Sequence, residues 1–218
     1  MVGVLADERY VWANHFAGLA RLHKRTGQWQ DVARLTSLIP GHVQDMAGNS
    51  RGVWFLYPTD AGMRLAWFEH KTGRFAAWPL SDEVDLGSAV CLAADEAAVY
   101  VGTRDRGLYA LGIADGRALR QSPPDALPEG AVRKILPDGD CLWVSVLPHG
   151  GLWRMDRATG AWTHITVRRG APASHVLSMA CVGDKLFVGA LAGGPWRYDL
   201  RKARWQNLSL ELLRDGQP

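Results

Sequence analysis

Along this chain apolar and polar positions alternate in short stretches, such as Cys141-Leu-Trp-Val-Ser145 and Lys185-Leu-Phe-Val-Gly189, punctuated by Asp-Gly, Thr-Gly and Gly-Gly. A period of two, enriched in β-branched and aromatic residues and broken by turn dipeptides, predicts half-buried strands joined by tight turns. The pattern also recurs. Gly18-Leu-Ala-Arg-Leu-His-Lys-Arg-Thr-Gly-Gln-Trp29 returns as Gly151-Leu-Trp-Arg-Met-Asp-Arg-Ala-Thr-Gly-Ala-Trp162, with looser copies from Leu65, Gly107 and Gly194. Its turn position falls at 27, 73, 116, 160 and 203, in steps of 46, 43, 44 and 43 residues, and the last copy holds Ala203 where the others hold Gly. A second marker keeps the same step: Trp12, Trp54, Tyr100, Trp143 and Phe187, each ten or eleven residues after Met1, Val43, Val90, Val132 and Val176.

Five units fill the 218 residues, at 1–42, 43–88, 89–131, 132–175 and 176–218. Each predicts four strands: a first at the Val-x-x-apolar run, a second at the aromatic, a third at Gly-Leu-x-Arg, and a fourth opening on the Trp after Thr-Gly. Gly27, Gly73 and Gly160 sit where a hairpin needs positive φ, which glycine alone adopts without steric cost. The one helical signal is a short turn at 208–214. Four strands repeated every 40–50 residues or so indicate an all-β fold, a β-propeller of five four-stranded antiparallel blades forming a single domain.

The string Val-x-x-Ile…Leu-Trp-Val-(Gly/Ser)…Gly-Leu-(Trp/Tyr)-Arg-(Met/Tyr)-Asp-x-x-Thr-Gly-x-Trp resembles the two-component regulator propeller repeat of bacterial sensor ectodomains. The resemblance covers all five units and is best over 132–166 and 176–209. It weakens in the second unit, where the loop 57–64 is longer, and in the third, which lacks Thr-Gly-Trp. It implies a non-catalytic recognition module, periplasmic if derived from a sensor. The family's larger rings have more than five blades. The expectation is therefore a small closed ring, monomeric, or an arc whose uncovered end blades drive homo-oligomerisation.

Composition narrows the classes further. At 47% hydrophobic and 22% charged the chain is that of a globular protein. A net charge of +3 with scattered basic residues gives no case for nucleic acid. No apolar run is long enough to span a membrane, and Asp7, Glu8 and Arg9 interrupt any export signal at the amino terminus. Cys91, Cys141 and Cys181 are too few and too dispersed for a disulfide framework or a metal site, and sit more easily in a reducing compartment. No nucleophile motif, phosphate loop, dinucleotide fingerprint or zinc-protease motif occurs, so no catalytic residue and no cofactor is assigned.

Ligand sites on a propeller are expected on the loops from second to third strand and on the connectors between blades, variable segments held by a rigid scaffold. These loops place His15, His42, His149 and His175 on one face, with Tyr57, Asp60, Arg64, Arg104, Asp105 and Arg106 as a mixed polar surface and Arg133 at the rim. Such groups suit a small polar molecule, a glycan or a protein. Histidines spread around a ring do not converge on one ion, so no metal is assigned. The acidic neighbours Asp82/Glu83 and Asp95/Glu96 are read as solvated rather than as a glycosidase pair. Two alternatives stand beside recognition: a polysaccharide hydrolase or lyase at the channel mouth, and a self-associating scaffold. Tryptophans at repeated positions are expected in the core, while Trp67 and Trp78, off those positions, are expected to be exposed.

Overall fold

The computed structural model describes residues 3–80, 84–114, 118–120, 130–147, 151–165, 176–191 and 194–209. Among these residues twenty strands form five sheets. The first holds β1 (Gly3–Ala6), β2 (Tyr10–His15), β3 (Gly18–His23) and β4 (Gln28–Asp31); the second β5 (Asp45–Gly48), β6 (Gly52–Thr59), β7 (Gly62–Glu69) and β8 (Arg74–Ala77). The third holds β9 (Ala89–Ala94), β10 (Ala98–Thr103), β11 (Leu108–Gly112) and β12 (Ala118–Arg120). The fourth holds β13 (Ala131–Asp138), β14 (Cys141–Leu147), β15 (Gly151–Asp156) and β16 (Trp162–Ile165); the fifth β17 (Val176–Val182), β18 (Lys185–Ala190), β19 (Pro195–Asp199) and β20 (Arg204–Asn207). In every sheet neighbouring strands are consecutive and antiparallel, the meander of a propeller blade. Among the described residues, one short 3-10 turn at Val32–Arg34 interrupts the strands, and the expected helical turn at 208–214 lies mostly outside them.

The chain divides into two compact units. One comprises Met1–Thr103 with Leu108–Gln121, and so blades 1 to 3; the other Arg104–Gly107 with Ser122–Pro218, and so blades 4 and 5. In the first, β5 lies beside both β1 and β9, and in the second β13 lies beside β17.

Turn chemistry repeats as the pattern predicts. Gly27, Gly73 and Gly160 take φ of 67°, 69° and 71°. Ala203 keeps that conformation at φ 48°, paying the Cβ clash that glycine avoids. At the turn between first and second strands a side-chain oxygen caps two amides: Asp7 those of Arg9 and Tyr10, Asn49 those of Arg51 and Gly52, Asp95 those of Ala97 and Ala98. Trp12 Nε1 donates to Asp7 Oδ2 at 2.7 Å, and the equivalent Tyr100 hydroxyl to Asp95 Oδ2 at 3.1 Å. The second-strand aromatic is thus pinned to the turn beneath it.

Packing between blades makes the core. Trp12 is wholly buried against Phe55 and Phe68, with ring centroids 5.2 Å away in each case. Trp54 and Trp143 are equally buried. Two expectations are corrected. Trp29, at a repeated position on the fourth strand, is 58% exposed, because within its unit blade 1 has no preceding blade to cover that face. Trp67 and Trp78 are not exposed: Trp67 is half-buried and Trp78 buried. Register pairs Trp67 with Trp54, and the two stack at 5.8 Å and 21° on the side of blade 2 that packs on blade 3.

One backbone approach is close enough to forbid a side chain. A Cβ on Gly52 would collide with the Phe68 carbonyl oxygen and run close to the Trp67 ring. Gly52→Ala is expected to lower stability by about 1–3 kcal/mol through overpacking. A urea midpoint within error of the parent's would show that β6 and β7 can separate freely.

Candidate functional site

The residues singled out on the loop face fall into different settings. His15 ends β2, exposed, its Nδ1 accepting from the Ala17 amide at 3.2 Å. His42 is exposed on the connector leading to β5. Buried Asn14 clamps that connector: its Nδ2 donates to the Val43 carbonyl at 2.6 Å and its Oδ1 accepts from the Val43 amide at 3.3 Å. The neighbours of His15 and His42 are thereby tied together. The loop 57–64 is a strand extension rather than a long loop, since Tyr57 and Arg64 are cross-strand partners and only Asp60 and Ala61 lie between Thr59 and Gly62. Tyr57 is 6% exposed, so its ring lies in the core and offers no platform. Burial pushes its phenol above the ordinary tyrosine value, opposed by nearby Arg64. Asp60 and Arg64 are exposed.

Arg104, Asp105 and Arg106 are exposed, with Arg106 Nε 4.0 Å from Asp105 Oδ1, and belong to the second unit while Tyr57, Asp60 and Arg64 belong to the first. Arg133 sits half-buried at a bulge in β13. His149 and His175 lie outside the described residues. Among the described residues no group of three or more His, Cys, Asp or Glu side chains could hold a metal.

The opposite end of blade 2 is more concave. A groove of about 440 Å³ is floored by Trp67, Trp78 and Ile113 and rimmed by Arg51, Glu69 and His70, with Ser50 and Lys71 beside them. The floor follows from one departure in the repeat. Where blades 1, 4 and 5 carry Arg21, Arg154 and Arg197 opposite the second-strand aromatic, blade 2 carries Trp67. Trp54 covers one face of Trp67, and Trp78 stands edge-on to both at 5.7 and 5.4 Å. The buried indole N–H of Trp78 has no hydrogen-bond partner.

The rim is fixed by hydrogen bonds within blade 2 and across to the blades on either side. His70 Nδ1 lies 3.0 Å from the Ser50 carbonyl, and its Nε2 lies 3.2 Å from Asp7 Oδ2. Arg9 donates to the His70 carbonyl. On the blade 3 side Ser50 donates to Glu96 through both its amide, at 3.0 Å, and its hydroxyl, at 2.6 Å, and these bonds hold the exposed Glu96 carboxyl below its ordinary value. Burial alone would raise the Asp7 carboxyl. Hydrogen bonds from Trp12, Tyr10 and Arg9, with His70 alongside, outweigh it and leave Asp7 below the usual carboxylate value. Glu69 accepts from the Thr72 hydroxyl at 2.6 Å. The result is an apolar aromatic floor inside a pre-set rim of both charges, suited to a molecule with one apolar face and several hydroxyl or carboxylate groups.

These rim residues escaped the sequence because each occupies an ordinary turn. The signal available there was Trp67 itself, an indole at the arginine position of an otherwise regular repeat.

No protein-family model matches the chain, and no curated protein sequence matches it. Solved structures do. The extracellular domain of what is described as a one component system from B. thetaiotaomicron aligns with a TM-score of 0.69 at 17% identity, covering 94% of this chain and 27% of that one. The extracellular domain of a second B. thetaiotaomicron protein, described as a hybrid two component system, gives 0.69 at 18%, with 94% and 27% covered. A xyloglucanase from Xanthomonas campestris gives 0.65 at 17%, covering 93% of this chain and 36% of the enzyme. The chain thus spans about a quarter of the sensor ectodomains it aligns with. The likeness, with the five antiparallel sheets, identifies the fold as all-β with propeller-type blades. No helix among the described residues is long and apolar enough to cross a membrane.

Proposed function

We propose that the chain is a non-catalytic recognition module of the sensor-ectodomain kind, built on two-component regulator propeller repeats joined in a single propeller domain and exposed to the periplasm. Its ligand is a glycan or similar polyhydroxylated molecule, bound in the groove over Trp67. The observation that carries this is the pairing of an aromatic floor with Arg51, Glu69, His70 and Lys71 on the rim. A pyranose ring has apolar C–H faces that stack on indole, and an equatorial belt of hydroxyls that charged side chains hydrogen-bond. The likeness to extracellular sensor domains supports the class of function, and at identities of 17% and 18% it carries no particular ligand with it.

Alternative binding surfaces are the loops of each unit taken by itself, with His15, His42, Asp60 and Arg64 in the first and Arg104, Asp105, Arg106 and Arg133 in the second. The experiment is titration of neutral hexose and uronic-acid oligosaccharides by calorimetry and tryptophan fluorescence. Trp67→Ala and Lys71→Ala should each weaken binding, the first by at least about tenfold, while His42→Ala and Arg64→Ala leave it unchanged. The opposite pattern moves the site to the loop face. Cleavage of the oligosaccharide makes the chain a hydrolase or lyase, and no binding to any member of the panel removes the glycan reading.

A further inference from the structure

Cys141 and Cys181 are far apart in sequence, yet they face one another across the seam between blades 4 and 5, inside a single compact unit. Alternation along β14 sends Cys141, Trp143 and Ser145 to one side of the sheet. That side is turned toward blade 5, since Trp143 packs with Val176, Leu186 and Val188, and the Ser145 hydroxyl donates to the Val176 carbonyl at 3.3 Å. Register places Asp138 opposite Cys141 on the same side. From blade 5, Met179 and Cys181 of β17 pack back into this cluster, with Cys181 opposite Leu186. Both cysteines stand at the end of the seam where first strand turns into second, and both are half-buried free thiols. Cys91, the third free thiol, is buried in the other unit.

The two sulfurs have partners of opposite charge. Arg154 Nη2 donates to Cys141 Sγ at 2.7 Å. The Cys181 thiol is hydrogen-bonded to the Asp138 carboxyl, and burial, with this bond and the charges of Asp138 and Cys141, pushes it up to about 12. Asp138 leaves its place in the repeat to make that bond. At the equivalent turn position Asp7 and Asp95 accept from the second-strand aromatic of their own blade, Trp12 and Tyr100. In blade 4 the buried Trp143 Nε1 has no hydrogen-bond partner, and Asp138 reaches across the seam to Cys181 instead.

We infer that Cys141 and Cys181 are a disulfide site, and that in an oxidising compartment they join into a bridge that staples blade 4 to blade 5. The oxidant is a second disulfide, carried by a small molecule or a protein. The Cys141 sulfur, beside the Arg154 cation, attacks one sulfur of that disulfide; its S–S bond breaks and one half leaves as a thiolate that takes up a proton. Cys181 then passes its proton to Asp138 and attacks Cys141 Sγ, expelling the second half. Two protein thiols are oxidised to one disulfide, the oxidant is reduced to two thiols, and the protein ends two hydrogens lighter. The inference does not depend on the glycan reading, and no residue of the groove over Trp67 takes part.

Oxidised glutathione is the probe, added to the full chain until the thiol count in urea is constant. The parent should keep one thiol of its three, Cys91, and peptide mapping should find Cys141 joined to Cys181 within one chain. Cys181→Ser should stop at a glutathione adduct on Cys141, and Cys141→Ser should stay unmodified. The oxidised parent should melt several degrees above the reduced one, because the bridge closes a long loop in the unfolded chain. Reduced variants that melt with the reduced parent by circular dichroism establish that they fold. A parent that keeps all three thiols overturns the inference, as does a lasting glutathione adduct on the parent or a bridge that includes Cys91. A melting temperature unchanged by the bridge overturns its role as a staple.

Discussion

Trp12→Ala is expected to destabilise the first unit by about 3–5 kcal/mol, the range for deleting a large buried aromatic. Trp12 has no exposed surface and touches rings from two blades: Tyr10 at 5.6 Å within its own, and Phe55, Phe68 and Phe75 at 5.2, 5.2 and 6.1 Å in the next. Truncation leaves a cavity walled by strands of two sheets, whose hydrogen-bonded ladders resist collapse into it. The Arg21 guanidinium, 5.6 Å from the Trp12 ring and 4.3 Å from the Tyr10 ring, loses one of its aromatic neighbours as well. Against a typical total of roughly 5–15 kcal/mol the loss is close to unfolding. Trp12→Phe should cost less, because Tyr100 and Phe187 hold smaller rings at equivalent positions. Urea denaturation followed by tryptophan fluorescence measures both. A Trp12→Ala loss below about 1 kcal/mol would mean that blades 1 and 2 do not share a packed core.

The period, the five sheets and the turns were legible in the sequence because each depends on neighbours a few residues apart. Val-x-x-apolar runs, the second-strand aromatics and the Thr-Gly turns each report local backbone, and the register of β15 on β16 follows from the Thr-Gly turn that joins them. What the sequence hid depends on which sheet lies beside which. Trp67 looked exposed because it broke the repeat, yet cross-strand pairing with Trp54 turns it toward blade 3. Trp29 looked buried because it kept the repeat, yet burial there needs a preceding blade. The groove rim is the extreme case. Ser50 and His70 stand twenty residues apart, and Asp7 sixty-three from His70, in turns whose composition is ordinary punctuation. The first pair meets across two turns of one sheet and the second across two blades, and neither meeting is encoded by a local pattern.

Asp7→Ala tests that inter-blade junction and should cost about 2–4 kcal/mol, since a buried donor left without its acceptor costs roughly 1–3 kcal/mol. The Asp7 side chain is 6% exposed and serves four donors: the amides of Arg9 and Tyr10, Trp12 Nε1 and, at 3.2 Å, His70 Nε2. Alanine returns the Arg9 amide to water but strands the indole N–H inside the core and loosens His70 from the groove rim. Asp7→Asn keeps one acceptor oxygen and should lose about half as much. The effect has a defined pH dependence. Because the folded Asp7 carboxyl lies below its ordinary value of 3.8, its contribution is full above that value and is lost as pH falls through the folded value. The gap between parent and Asp7→Ala should therefore be constant across neutral pH and narrow only below about 4. Urea midpoints at neutral pH and in acid decide it: a gap that stays the same in acid would assign the loss to the turn backbone rather than to the ionised carboxylate. Trp12→Phe removes the same hydrogen bond from the other side, so the double variant should lose less than the two single losses combined. Strict additivity would mean that the indole N–H and the carboxylate do not stabilise one another.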